Sequence, residues 1–128
     1  MISEQVTIIL PLPGGILSPN CTVGSIGGRF MKAAAIKKYR RLAEKAVVSE
    51  CIDTSPWRAV TVQATFFFKD RRRRDPDNAL GSLKAAYDGI VDSGLVADDD
   101  WDRMKRMEPV LAFDHNHPRV ELTITRLR

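Results

Sequence analysis

The sequence predicts a single α+β domain, with two main helices packed on a mainly antiparallel or mixed sheet of about four strands. Three observations carry that prediction. Val60, Val62, Ala64, Phe66 and Phe68 alternate with strict period two, the spacing of a half-buried strand. Met31, Ala35, Tyr39, Leu42 and Ala46 recur every three or four residues, the spacing of one helix face. The elements follow in the order β, long loop, α, β, α, β, β, without internal repeats. At 128 residues the chain makes one domain, 1–128, because half of it would be too small to bury a core.

Each element has its own local cause. Val6, Ile8 and Leu10 alternate with Thr7 and Ile9, and Pro11 and Pro13 end this first strand. Residues 13–28 are rich in glycine, proline and serine and read as a loop. Residues 29–48 read as a helix whose second face carries Lys32, Lys37, Lys38, Arg40, Arg41 and Lys45. Asp53, Ser55 and Pro56 punctuate the turn into the strand at 60–68. Pro76 suits the first turn of a helix and keeps the residue before it out of helical geometry, so Asp75 fits an N-cap. The second helix then runs from about Pro76 to Asp92, and Gly94 terminates it. Residues 107–113 and 119–125 read as two strands, with a turn at 114–118 between them.

Composition narrows the function classes. No apolar run approaches the ~18 residues of a membrane span, and the N-terminus lacks a signal peptide's basic start and long apolar middle, so a cytoplasmic protein is expected. Cys21 and Cys51 are not at a metal-ligand spacing and read as free thiols. The net charge of +4 is modest, but the signs are segregated. Seven basic residues lie between Arg29 and Lys45 and five more between Lys69 and Arg74, so twelve of the twenty fall in two short stretches. From Asp75 to Asp102 there are eight aspartates against one lysine, Lys84. A surface shaped only for solubility would intermix them.

Asp75 and Asp77 bracket a proline at a helix start, and Asp98, Asp99 and Asp100 follow beyond its end. A helix of ~16 residues is about 24 Å long, so the two acid sets meet only if Gly94 turns the chain back along it. Residues 95–97 alone do not reach that far. The helix must be shorter or kinked, or the segment must return as an extended strand. Converged carboxylates ~4 Å apart would repel by ~4 kcal/mol at an effective dielectric near 20, a penalty that a divalent cation removes. Magnesium takes one or two carboxylates with waters and leaves positions for phosphate oxygens, and Arg71, Arg72, Arg73 and Arg74 stand ready to bring a phosphodiester. The plain alternative is that Asp75 is only a cap and residues 98–100 only a solvated turn. A calcium-binding loop is excluded, because it needs glycine where Leu80 stands and glutamate where Ala86 stands.

The run RRRRDPDNALGSLKAAYDGIVDSGLVADDD resembles the RusA family of Holliday junction resolvases: a basic lead-in, D-x-D-N, a helix with K-x-x-x-D-G, a glycine and paired aspartates. The early LSPN, ending at Asn20, and the closing VELTIT are similar to the family's N-terminal loop and final strand. The resemblance covers nearly the whole chain in element order, and its specific part is residues 71–100. It implies a RusA-like fold and a small homodimeric endonuclease, phage-encoded or bacterial, that resolves four-way DNA junctions by paired nicks. It implies magnesium as cofactor, with manganese able to substitute, and no nucleotide cofactor. Matched residue by residue, it assigns the metal to Asp75, Asp77 and Asp99, with Asp98 the less secure ligand, and catalysis to these acids and Lys84. One departure matters. In the compact family pattern the lysine follows the second aspartate by four residues, whereas Lys84 follows Asp77 by seven. Offsets of four and seven both stay on the aspartate's face at ~100° per residue, but the lysine lies one turn farther along. Either the added residues form an extra turn, or the helix begins later. The plainer role for Lys84 is an i+4 pair with Asp88.

The remaining candidates are weaker. Lys37, Lys38 and Arg41 on the basic helix, together with Asn20, are candidate DNA contacts, against the alternative of a solvated helix face; phosphate contacts would make binding fall steeply with salt. Gly24, Gly27 and Gly28 lack the lysine and preceding strand of a nucleotide loop and suit a mobile loop that orders on DNA. His115 and His117 have no third ligand for a transition metal. Trp57 and Trp101 either pack or stack on bases, Trp101 being the better stacking candidate, and Phe66, Phe67 and Phe68 read as core and interface. A less selective branched-DNA or flap nuclease and a non-catalytic junction-binding protein are the competing expectations.

Overall fold

In a computed structural model the chain is described over residues 4–50 and 56–127. Cys51 and the turn at Asp53 and Ser55 lie outside the described residues. The elements are β1 (Gln5–Leu10), a 3-10 turn (Gly15–Leu17), α1 (Ile26–Glu50), β2 (Ala59–Phe68), α2 (Pro76–Gly81), α3 (Lys84–Asp92), β3 (Met104–Arg106), β4 (Val110–Phe113) and β5 (Arg119–Leu127). The α+β class stands, with a mixed sheet of five strands in the order β1-β5-β2-β3, and β4 also on β2. β5 runs antiparallel to both β1 and β2, from Gln5↔Thr125 on one side and Ala59↔Leu127 on the other. β3 and β4 run parallel to β2, beside Val60–Val62 and Thr65–Phe68 respectively.

Alternation decides which face of the sheet is covered. Val6, Ile8 and Leu10, then Val60, Val62, Ala64 and Phe66, then Val120, Leu122 and Ile124 point to one side and are buried. On the other side stand Thr7, Gln63, Thr123 and Thr125, with Thr7 bridging to Thr123. α1 closes the core through Tyr39, Ala43 and Val47, a spacing of four, while Met31, expected on this face, is 67% exposed beyond it. The Tyr39 hydroxyl donates to the Pro11 carbonyl at 2.7 Å, which fixes the exit of β1.

Three expectations are corrected. The loop expected over residues 13–28 ends earlier, because α1 begins at Ile26 and takes in Gly27 and Gly28. Where one strand was expected at 107–113 there are two short ones with other bounds, β3 ending before it at Arg106 and β4 beginning only at Val110; Pro109 between them has no N–H for the ladder. The Gln63 amide donates to the Glu108 carbonyl at 2.9 Å across the gap. The expected single helix to Asp92 is also two, parted at Ser82 and Leu83. Gly81 and Ser82 are poor helix interiors. Ser82 turns its hydroxyl to the Ala79 carbonyl at 2.6 Å, and Leu83 buries its side chain completely. A Cβ on Gly81 would lie 2.8 Å from Pro19, so the loop before α1 packs at the break. A Cβ on Gly89 would lie 2.2 Å from the Arg40 carbonyl oxygen, so the D-G of the motif is where α3 crosses α1 at closest approach. Gly94, with φ +86°, ends α3 as expected. Among the described residues no helix is long and apolar enough to cross a membrane.

Candidate active site

The break in the helix answers the reach problem posed by the acids. α3 has nine residues and is about 13.5 Å long. After Gly94 the chain doubles back, with Leu95 and Val96 buried and the Trp57 N–H donating to the Leu95 carbonyl at 2.6 Å. Five extended residues span at most ~17 Å, enough to bring residue 99 to the start of α3. There Lys84 Nζ donates to Asp99 Oδ2 at 2.7 Å and to Asp88 Oδ1 at 2.7 Å. The three extra residues between Asp77 and Lys84 thus form neither a further turn of one helix nor a leading loop. They form the bend from which Lys84 opens α3.

These contacts separate the members of the aspartate triplet. Asp98 accepts from the Asp99 N–H, and Asp100 accepts from the backbone of Asp102 and Arg103 and pairs with the Arg103 side chain. Both shape the loop. Asp99 alone reaches Lys84, and Arg106 from β3 approaches the same carboxylate at 3.3 Å. Asp88, then Asp99, holds the Lys84 ammonium above its ordinary pKa, and Lys84 holds Asp99 below the usual carboxylate range.

Asp75 caps α2 as expected, accepting from the Asp77 N–H at 3.1 Å. The two acids of D-x-D face different cavities. Asp77 lines one of about 400 Å³ with Leu80, Gly81, Lys84, Tyr87 and Arg106. Asp75 lines another of about 420 Å³ with Arg73, Arg74, Asn78 and Ser18. Asn78 joins the two separate motifs of the sequence: its Oδ1 accepts from Ser18 Oγ at 2.9 Å and from Asn20 Nδ2 at 3.2 Å. The LSPN loop is therefore a brace for D-x-D-N.

Among the described residues no three His, Cys, Asp or Glu side chains lie close enough together to hold a metal ion. The carboxylates that converge are Asp88 and Asp99, across one ammonium, with Asp77 on the wall of the cavity that Lys84 also lines. That donor set is all oxygen, without thiolate or imidazole. It suits a hard cation such as magnesium, which needs only one or two carboxylates.

The other candidates divide. Arg74 is turned inward, pairing with Asp70 at 2.8 Å and lying over the Phe68 ring, and Arg71 lies over Phe113. Arg72 pairs with Asp70 at 3.5 Å, and Arg73 is exposed. Lys37, Lys38 and Arg41 are exposed on α1. Trp57 is buried core, whereas Trp101 is 83% exposed beside the acidic loop. Phe66 is core, and the half-buried Phe67 carries Arg119 over its ring. The i+4 pair of Lys84 with Asp88 was expected and is present. Sequence reasoning passed over the roles of Asn78, Ser18 and Arg106. Motifs pointed to the first two, through D-x-D-N and LSPN. Arg106 had no signal, because its place depends on the pairing of β3 with β2. No family model matches the chain, and no curated protein matches it.

Proposed function

We propose that this chain is a magnesium-dependent endodeoxyribonuclease that resolves four-way DNA junctions by paired nicks, working as a two-fold dimer. The observation that carries the reading is the return of Asp99 to Lys84, on a cavity that Asp77 also lines. Residues 15 and 22 positions upstream of Asp99 are gathered there with no core-building reason, since Lys84 and Asp77 are exposed. Asp77, on the cavity that Lys84 lines, and Asp99, paired with that lysine, would hold the metal, while Asp75 faces the neighbouring cavity and caps α2. When bound, magnesium supplies Lewis-acid charge at the scissile phosphate and activation of the attacking water. Lys84 adds a positive charge where the phosphate gains negative charge, and Asp88 orients that ammonium. Arg73 and the exposed bases of α1 attract the DNA backbone, sequence-independently and with steep salt dependence. A dimer matches the pseudo-two-fold symmetry of the junction and delivers two nicks.

Because no three ligating side chains converge among the described residues, a second reading is a junction-binding protein without cutting activity. One experiment separates the two. Purified protein is incubated with magnesium and either an immobile four-way junction or a matched linear duplex. Paired symmetric nicks in the junction alone, lost in Asp77→Asn, are expected. Cutting of flaps and junctions alike would indicate a less selective nuclease. Tight junction binding without cutting in magnesium or manganese would leave the binding protein.

A further inference from the structure

We propose that Arg106 is a substrate-binding residue that grips a DNA phosphate in the cavity it shares with Lys84, on a platform provided by Tyr87. This rests on the nuclease reading above and gives the phosphate contact to a residue outside the acidic motifs. Arg106 ends β3, whose parallel pairing places it opposite Val62. Its guanidinium carbon lies 4.4 Å from the centroid of the Tyr87 ring. Tyr87 is 2% exposed, so that ring is fixed by the core and cannot turn aside. A planar cation stacked on a fixed ring keeps its donor edge aimed in one direction.

The two cations of the cavity differ in how far they are committed. Lys84 makes two bonds of 2.7 Å to carboxylates. Arg106 uses only Nη2, toward the carboxylate and carbonyl of Asp99, both at 3.3 Å, beyond the usual 2.7–3.2 Å range. Nε and Nη1 have no partner among the described residues. A guanidinium with one loosely used nitrogen and two free ones is a fork waiting for two oxygens, and a phosphodiester supplies two non-bridging oxygens with that geometry. Asp99 then holds Arg106 at the right distance from the acid cluster.

The test uses a labelled synthetic four-way junction. Equilibrium binding is measured in calcium across a salt series, and cleavage in magnesium gives kcat and KM. Arg106→Gln is expected to weaken junction binding roughly tenfold, to lower the slope of log affinity against log salt by about 1, and to raise KM by more than it lowers kcat. Arg106→Lys should restore the slope while leaving KM several-fold raised, because lysine keeps the charge and loses the fork. A residue that only braced β3 against α3 would lower the melting temperature and leave the salt slope alone. An unchanged slope in a folded Arg106→Gln protein therefore overturns the assignment. If Arg106→Gln does not fold, Arg106→Lys decides, and an unchanged KM overturns it. A wild-type protein that neither binds nor cuts the junction overturns both this inference and the nuclease reading. Normal wild-type cutting with a wild-type-like Arg106→Gln overturns this one alone.

Discussion

The two short helices after the basic run carry the two halves of the site and are held in opposite ways. α3 buries Ala85, Ala86, Tyr87, Gly89 and Ile90 and meets α1 with nothing but hydrogen between Gly89 and the Arg40 carbonyl. α2 buries no residue fully: Ala79 and Leu80 pack partly against the core, and a cap at Asp75 and the Asn78 bonds with Ser18 and Asn20 hold its outer side. Lys84 is thus positioned by a deeply buried helix, and Asp75 and Asp77 by a shallower one braced by a surface loop. A shared site built on two supports of unequal stiffness can be adjusted from the loop side without unfolding the protein.

That contrast can be broken at either end. Asp77→Asn should show the largest effect, a loss of cleavage of about a thousandfold, or ~4 kcal/mol in the barrier, with an unchanged melting temperature. Gly89→Val should cost about 3 kcal/mol of stability, because its side chain has no room between the helices. Thermal melting would then register a fall of roughly 10 °C, and an unshifted melting curve would show that the crossing is looser than described. Asn78→Ala should sit between these behaviours. Losing both loop bonds costs about 1–2 kcal/mol, and cleavage should drop more than stability does. Equal losses in the two measurements would mean that the loop supports the whole fold and not α2 in particular.

The smallest effect is in the acid range. Asp99 is held below the usual carboxylate range by Lys84, so its stabilising contribution is complete above about pH 4, the unfolded value. It is lost as pH falls through the lower folded value. Lys84→Met should therefore melt below wild type at pH 6 and converge with it toward pH 3. The gap should be under about 1 kcal/mol, since solvent reaches the pair. A gap that widens in acid would contradict the pairing.

Much of this was legible beforehand. Alternation in β1, β2 and β5 revealed which residues form the core, and Pro76 and Gly94 marked where the second helical region starts and stops. Its interruption was hidden because Leu80, Leu83, Tyr87 and Ile90 continue an unbroken helical rhythm. Gly81 and Ser82 weaken the helix locally, and tertiary contacts complete the break, with Pro19 beside Gly81 and Leu83 drawn into the core. β3 was not anticipated, because Met104, Lys105 and Arg106 carry no strand alternation of their own and are placed by the ladder with β2. Of the candidate site, the resemblance singled out Lys84 and picked Asp99 from its triplet, and the structure brings those two together, whereas Asp75 lies on the neighbouring cavity. The resemblance could not expose Arg106, whose neighbours are set by a ladder between strands more than forty residues apart.

The place of β5 has a consequence for how the protein comes into being. β5, which follows the other described strands in chain order, lies between β1 and β2, so these two cannot be joined into one sheet until residues 119–127 have left the ribosome. Until then β2 can pair only with β3 and β4, and β1 has no strand to pair with, so its apolar row is left outside the sheet. Completion of the sheet must wait for β5, and translation that stops short of Arg119 should yield a species that chaperones hold and proteases clear.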